Sequence, residues 1–182
     1  GALGLPKLHL ISITPENSGN SILEDATTAQ EMDLDKGLLI VNNAGRWLGA
    51  LDGSAIETAW APQVRMKDAF TIECEYYSRH GSNKPTGMAV LEFPMRKTVH
   101  KMEATITVAG PDGTQGETVV STAYPEGSVP IINAAPGIWS TSDGGWMSWM
   151  YVSQIVDANG DFKVKWQGNS GDPVLWVQVV EP

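Results

Sequence analysis

Short segments in which apolar and polar residues alternate, separated by turn-forming residues, constrain the fold more than any other feature of this sequence. Between residues 70 and 76 every second side chain is apolar, and the intervening ones are Thr or Glu. Since successive side chains of a strand point to opposite faces of the sheet, this pattern predicts a β-strand with one buried and one solvated face. The segments 102–108 and 162–166 repeat the pattern.

Further candidate strands cover much of the remaining chain. They are residues 8–13, 38–41, 47–51, 56–60, 88–93, 117–121, 129–132, 146–156 and 174–180. The last two are apolar on both faces, which predicts central or interface strands. Residues 21–32 instead begin with Ser21 and Glu24, spaced as in a capping box, and this segment is expected to form a short helix or a loop.

Gly, Pro and Asn residues mark turns between these segments. Asn159-Gly160 predicts a hairpin, because a type I′ turn needs positive φ at both central residues. Pro111-Asp112-Gly113 predicts a second hairpin, between the candidate strands 102–108 and 117–121. Residues 168–173 are expected to connect the last two strands.

These strands and turns together predict an all-β protein. We expect an antiparallel β-sandwich, jelly-roll-like and with little helix, and a closed barrel is the alternative. Most segments between strands are too short for the crossover helices that parallel sheets need. The 182 residues suit a single domain, in which residues 1–20 are expected to form an arm or a connection to a preceding segment.

Charge and cysteine content exclude several classes of function. The net charge of −9 argues against a nucleic-acid partner, and no apolar stretch is long enough for a membrane-spanning helix, so no membrane insertion is predicted. The single cysteine, Cys74, excludes an intrachain disulfide and a cysteine-based zinc site. Residues 63–101 nevertheless hold seven bases against four acids. This local excess indicates either solvated strand ends or a patch for an anionic sugar or phosphate.

Two loops resemble known functional motifs without matching them. Residues 167–174 are similar to the nucleophile loop of chymotrypsin-like serine proteases, but Asn169 and Asp172 replace family residues, and no histidine has the family setting. A turn-rich connecting loop explains the segment without catalysis. Residues 157–161 have the opening oxygen spacing of a calcium loop but lack its later Gly and Glu, so a hairpin turn is preferred. No metal or cofactor is predicted.

Two glutamates on one strand face give a hydrolase alternative. Glu73 and Glu75 are two residues apart, which places their Cα atoms roughly 7 Å apart on a strand. Glycosidases use two carboxylates that flank the scissile bond, so this spacing is compatible with a catalytic pair. Exposed glutamates on the solvated face of a strand are the ordinary interpretation, and no catalytic residue is assigned.

The seven tryptophans are the best indication of binding. Trp139 lies in a loop with Ser, Thr and Asp143, where it is expected either to stack on a sugar ring or to cap the core. Trp146 is a second candidate, since its strand carries tryptophans on both faces. A basic loop between two candidate strands adds Arg79 and Asn83, although such loops are often only solvated. These five residues are the predicted ligand-binding set.

The arrangement of short strands and closing hairpins resembles the tip domain of a bacteriophage fibre, tail needle or tailspike. The Asn159-Gly160 hairpin, the 168–173 turn and the apolar closing strand 174–180 carry the resemblance. It implies a trimeric knob that binds a cell-surface glycan or protein receptor. Residues 69–77 are separately similar to a strand of concanavalin-like sugar-binding sandwiches, but no site residue of that family can be matched.

The sequence therefore predicts a non-enzymatic receptor- or carbohydrate-binding tip of a phage or adhesin fibre. The expected state is a homotrimer on a virion or in the extracellular space, used for host attachment. The alternatives are a glycan-active hydrolase on a β-sandwich and a structural virion knob without a ligand.

Overall fold

The computed structural model describes residues 6–13, 21–42, 63–77, 86–92, 98–133 and 147–182. The described residues contain β-strands and no helix, which confirms the prediction of an all-β fold. Accordingly, none of them belongs to a helix that could cross a membrane. The strands are β1 (Lys7–Ile13), β2 (Ser21–Thr27), β3 (Gly37–Asn42), β4 (Gln63–Asp68), β5 (Thr71–Tyr77), β6 (Thr86–Glu92), β7 (Val99–Thr105), β8 (Val108–Ser121), β9 (Val129–Ile132), β10 (Met147–Val152), β11 (Asp161–Gly171) and β12 (Val174–Val180).

The strands form four three-stranded sheets in which every pairing is antiparallel. The first half of the chain builds the sheets β1-β6-β3 and β2-β5-β4, and the second half builds β7-β12-β9 and β10-β11-β8. This arrangement agrees with the predicted antiparallel, sandwich-like architecture. It follows from the alternating sequence, because each strand offers one apolar face that a second sheet must cover.

The buried apolar side chains form two clusters, one for each pair of sheets. The first lies between β1-β6-β3 and β2-β5-β4 and comprises Met32, Leu39, Val64, Met66, Ile72, Cys74 and Val90. The second is built mainly on β7, β8, β11 and β12, with Phe162, Val164, Leu175 and Val179 fully buried. Cys74 is thus a small core residue, as its position among apolar neighbours on the strand predicts.

The predicted helix or loop at residues 21–32 is wrong over residues 21–27, which form strand β2, whereas residues 28–32 do form a loop. This strand pairs with β5 along its whole length, from Ser21 opposite Tyr77 to Thr27 opposite Thr71. Pairing satisfies the backbone of a segment with a weak apolar helical face, so the partner strand outweighs the local capping signal.

The hairpin predicted at Asn159-Gly160 is confirmed, but its tight turn has Ala158 and Asn159 as central residues, so it is not the type I′ turn that the sequence predicted. Gly160 has a φ of +82° and donates its N–H to the carbonyl oxygen of Asp157 at 3.0 Å. The Asp157 carboxylate accepts the backbone N–H groups of Asn159 at 2.8 Å and Asp161 at 3.0 Å. This carboxylate therefore closes the turn that the calcium-like spacing had marked.

The hairpin predicted at Pro111-Asp112-Gly113 is wrong. These residues lie inside β8, which pairs with β11 on both sides of a register shift between Gly168 and Ser170. Gly113, at φ +80°, allows this bulge, and the chain changes sheets earlier, between Thr105 and Val108.

The two strands predicted to be central differ in position. Strand β12 is central in β7-β12-β9, and its two faces are buried, so that prediction is confirmed. Strand β10 lies at the edge of its described sheet, with β11 in the centre. The protease-like segment is strand β11 through Gly171, followed by Asp172 and Pro173, which lead into a different sheet.

Candidate functional site

All five residues predicted to bind a ligand lie outside the described part of the chain. They are Arg79, Asn83, Trp139, Asp143 and Trp146. Their role stays a prediction. Within the described residues, a different place combines a cavity with charged and aromatic side chains.

This place is a cleft of about 380 Å³ where β4 lies beside β7 and β12, here called the β4 cleft. Its volume is in the range of small-molecule sites. Strand β4 contributes four consecutive residues to the lining of the cleft, and strands β7 and β12 contribute three consecutive residues each. The lining residues are Val64, Arg65, Met66, Lys67, Lys101, Met102, Glu103, Trp176, Val177 and Gln178.

One wall of the cleft is positioned by the carboxamide of Gln63, which is only 1% exposed. Its Oε1 accepts the backbone N–H of Trp176 at 2.9 Å, and its Nε2 donates to the carbonyl oxygen of Val174 at 2.9 Å. Strand β9 pairs with β12 only from Val177 onward. Before Val177, where β9 does not pair with β12, the Gln63 side chain therefore satisfies backbone groups of β12 and fixes β4 against this strand.

A second carboxamide joins the two halves of the protein in the same way. Gln178, 5% exposed, accepts the N–H of Leu39 through Oε1 and donates to the carbonyl oxygen of Leu39 through Nε2, both at 2.8 Å. The Leu39 carbonyl also accepts from Nδ2 of Asn133 at 2.6 Å. The buried amide side chains of Gln63 and Gln178 therefore fix the strands around the β4 cleft, because each forms hydrogen bonds with backbone groups of another strand.

Charged side chains alternate in a ladder beside the cleft, here called the charge ladder: Asp25, Lys67, Glu73, Arg65 and Glu103. Of these, Lys67, Arg65 and Glu103 line the cleft. Lys67 Nζ lies 2.8 Å from Asp25 and 3.3 Å from Glu73. Arg65 donates to Glu73 from Nε at 2.6 Å and from Nη2 at 2.5 Å, and from Nη1 to Glu103. Each cation thus bridges two carboxylates.

Arg65 is further fixed by an aromatic contact. Its guanidinium carbon lies 4.3 Å from the centroid of the Trp176 ring, a cation–π arrangement. Burial lowers the pKa of Arg65, but its hydrogen bonds to Glu73 and Glu103 outweigh that effect and raise the pKa overall. Hydrogen bonds to Asp25 and Glu73 likewise raise the pKa of Lys67. Both side chains therefore stay cationic.

The interpretation of Glu73 as an exposed side chain is wrong. Glu73 is 5% exposed, although it faces away from the apolar side chains of Ile72 and Cys74. The reason is that Arg65, directly opposite on β4, and Lys67 cover its carboxylate. The face of β5 that the sequence predicted to be solvated is thus covered at Glu73, whereas Thr71 and Glu75 on the same face are half-buried.

Glu75, the other member of the proposed catalytic pair, has a different environment. Burial raises its pKa, and a hydrogen bond from Gln63 Nε2 at 2.9 Å partly opposes this effect. A carboxyl of raised pKa beside one that is ion-paired is one requirement of acid–base catalysis. Neither glutamate, however, is among the residues that line the β4 cleft.

The third base of the cleft, Lys101, serves the backbone. Its ammonium group donates to the carbonyl oxygens of Leu34, Gly37 and Val99, the last two at 2.7 and 2.8 Å. Burial lowers its pKa to about 8. Because an ammonium group has three protons, these contacts use its full donor capacity.

Other reactive side chains have structural partners. His9 contacts Glu92 at 2.7 Å, and His100 contacts Glu181 at 2.6 Å. Burial raises the pKa of Cys74 to about 12, so its thiol is unreactive at neutral pH. Among the described residues, no group of three or more His, Cys, Asp or Glu side chains could hold a metal ion.

Comparison with protein-family models, with curated proteins and with solved structures finds no match to this chain. The site is therefore judged by its own geometry. The sequence pointed to the basic stretch 63–101, which contains the three bases of the β4 cleft, but β4 itself was not among the predicted strands. Its signal is a cross-strand pattern: Gln63 and Arg65 stand opposite Glu75 and Glu73.

Proposed function

We propose that this protein is a non-enzymatic receptor- or carbohydrate-binding tip domain of a phage or adhesin fibre. It acts as a homotrimer, on a virion or in the extracellular space, and attaches the particle to a host cell. The β4 cleft is the observation that carries this proposal, because it offers fixed polar groups beside apolar side chains on a β-scaffold.

Preorganisation of the cleft supports binding. Arg65 is held by two carboxylates and the ring of Trp176, and Gln63 and Gln178 lock the supporting strands. Side chains that are already ordered lose little conformational entropy when a ligand arrives, so more of the contact energy remains as affinity.

An apolar sheet surface supports self-association. On the sheet β1-β6-β3, the face opposite the core carries six apolar residues and no charge, and Leu10 there is 79% exposed. These residues are Leu8, Leu10, Leu38, Ile40, Ala89 and Leu91. Because this face carries no charge in a chain of net charge −9, two copies that pack through it bring no like charges together there.

Light scattering after size exclusion tests the trimer. The wild-type protein is expected to have three times the chain mass, and Leu10→Lys is expected to give a monomer. Val119→Lys, which alters an exposed valine on β8, is the matched control and leaves the trimer intact. A monomeric wild-type protein at all concentrations contradicts the homotrimer.

Adsorption of the labelled protein to host cells tests attachment. Cells are expected to bind the wild-type protein and to lose binding with Glu103→Gln, whose side chain is exposed, in a variant shown by circular dichroism to be folded. If neither cells nor a glycan array bind the protein, the structural knob without a ligand is the better description.

A hydrolase is the second candidate, favoured by the unequal environments of Glu73 and Glu75. In that case Glu75 acts as the acid, and Glu73, paired with Arg65, is the second carboxyl group. Glu75→Gln is the direct test, because the amide keeps the size of the side chain. Cleavage of a polysaccharide panel by the wild type, lost in this variant, supports the hydrolase; cleavage retained by Glu75→Gln and by Glu73→Gln excludes it.

A further inference from the structure

We infer that the ligand of the β4 cleft is an uncharged saccharide, held by polar contacts to Arg65 and Glu103. This inference rests on the proposed binding function and narrows the chemistry of its ligand. It departs from the other expectation for the basic stretch, an anionic sugar or a phosphate.

Two of the three cations that line the cleft, Arg65 and Lys67, are already paired with carboxylates, and the third, Lys101, has its N–H groups occupied by backbone carbonyls. An anionic ligand would have to displace carboxylates of equal charge and lose its own hydration. The exchange gains little Coulomb energy and carries a desolvation penalty, so an anion is a poor occupant.

The charge of the whole protein acts in the same direction. With a net charge of −9, the protein repels anions before they reach the cleft. Cationic ligands are attracted at a distance, but the carboxylates that they would meet, Asp25, Glu73 and Glu103, are each bonded to Arg65 or Lys67. A neutral ligand does not have to displace either a carboxylate or a cation from the ion pairs of the charge ladder.

The remaining polar capacity matches a hydroxyl group. Arg65 carries five N–H donors and uses three of them on Glu73 and Glu103. Glu103 remains 58% exposed, so its carboxylate is accessible from solvent. A hydroxyl accepts from the guanidinium and donates to the carboxylate at once.

A glycan array with neutral, sialylated, sulfated and free-amino glycans tests the charge class. The trimeric protein is expected to bind neutral glycans only. For the strongest neutral glycan, titration calorimetry at 50 and 500 mM NaCl is expected to give dissociation constants within twofold of each other, because no ion pair forms between protein and ligand.

Variants of the charge ladder test the location. Glu103→Gln is expected to weaken binding of that glycan about 10-fold or more, since a charge-assisted hydrogen bond is lost, and Arg65→Ala should weaken it further. Glu117→Gln is the matched control, because Glu117 pairs with Lys163 at 2.6 Å on another sheet. If Arg65→Ala does not fold, Glu103→Gln decides alone, since its side chain is exposed.

Four results would overturn the inference in distinguishable ways. Binding of sialylated, sulfated or free-amino glycans with strong salt dependence would refute the neutral ligand and leave the binding function standing. Neutral binding unchanged by Glu103→Gln and Arg65→Ala would place the site elsewhere. Adsorption to cells without binding to any glycan on the array would indicate a protein receptor. If the protein neither adsorbs to cells nor binds a glycan, the proposed binding function is refuted as well.

Discussion

Replacing Gln178 by glutamate removes one proton donor from the centre of the molecule and keeps the shape of the side chain. In the wild type, the carboxamide accepts from the N–H of Leu39 and donates to its carbonyl. A carboxylate can only accept, so it would leave the second contact as a repulsion between two oxygens. Only the protonated acid reproduces both hydrogen bonds.

The cost of Gln178→Glu follows from the need to protonate this acid. Its pKa in the folded protein is raised above the ordinary glutamate value of about 4.3, because the site is buried and favours the neutral form. The folded state then binds more protons than the unfolded state, so stability falls as pH rises through this range. Each pH unit above about 4.3 lowers the free energy of unfolding by about 1.4 kcal/mol, which gives a loss of ~1 kcal/mol at pH 5 and ~4 kcal/mol at pH 7. The loss stops growing at the pH where the acid ionises in the folded protein.

Urea unfolding followed by tryptophan fluorescence at pH 5, 6 and 7 measures this difference against the wild type. Gln115→Glu is the matched control, because Gln115 is exposed on β8, and its effect should stay below about 0.5 kcal/mol at every pH. A destabilisation by Gln178→Glu that is equal at pH 5 and pH 7 would refute the reasoning, since it would show that the buried amide needs no proton donor.

Three further outcomes follow from buried or strained positions. Gly160→Ala should cost ~1 kcal/mol more than Gly127→Ala in urea unfolding, because both glycines have positive φ but only at Gly160 would the added methyl lie 2.5 Å from a backbone oxygen; equal losses would contradict the clash. Cys74 should not react with a disulfide reagent at pH 8 until urea unfolds the protein, and rapid native labelling would show that its burial is wrong. For Lys101, whose pKa is lowered to about 8, the unfolded state binds more protons between pH 8 and 10. The wild type should therefore gain stability relative to Lys101→Met from pH 8 to 10, and a constant difference would count against burial of the amine.

Much of the fold could be predicted from the sequence because strand signals are local. Alternation over a few residues predicted β5, β11 and the second half of β7, and the φ requirement of Asn159-Gly160 predicted the turn before β11. Local signals failed where a distant partner decided the outcome. Residues 21–27 carry a helix-start pattern yet pair with β5, and Pro111–Gly113 bends a strand because β11 continues beside it.

The candidate site was largely hidden from the sequence. A glutamate between apolar residues on a strand predicts a solvated face, and only the approach of β4 turns Glu73 into a buried ion-pair partner. Gln63 and Gln178 look like ordinary polar residues in the sequence, but they bond to backbones 111 and 139 positions away in the chain.

The sequence by itself determined that the chain forms short antiparallel strands with core faces, since residue parity and turn chemistry act between neighbours. The tertiary structure alone decided which polar side chains are buried, which charges cancel and where a cleft remains. Those outcomes depend on Coulomb interactions and hydrogen bonds between residues that are far apart in sequence, and no local pattern records them.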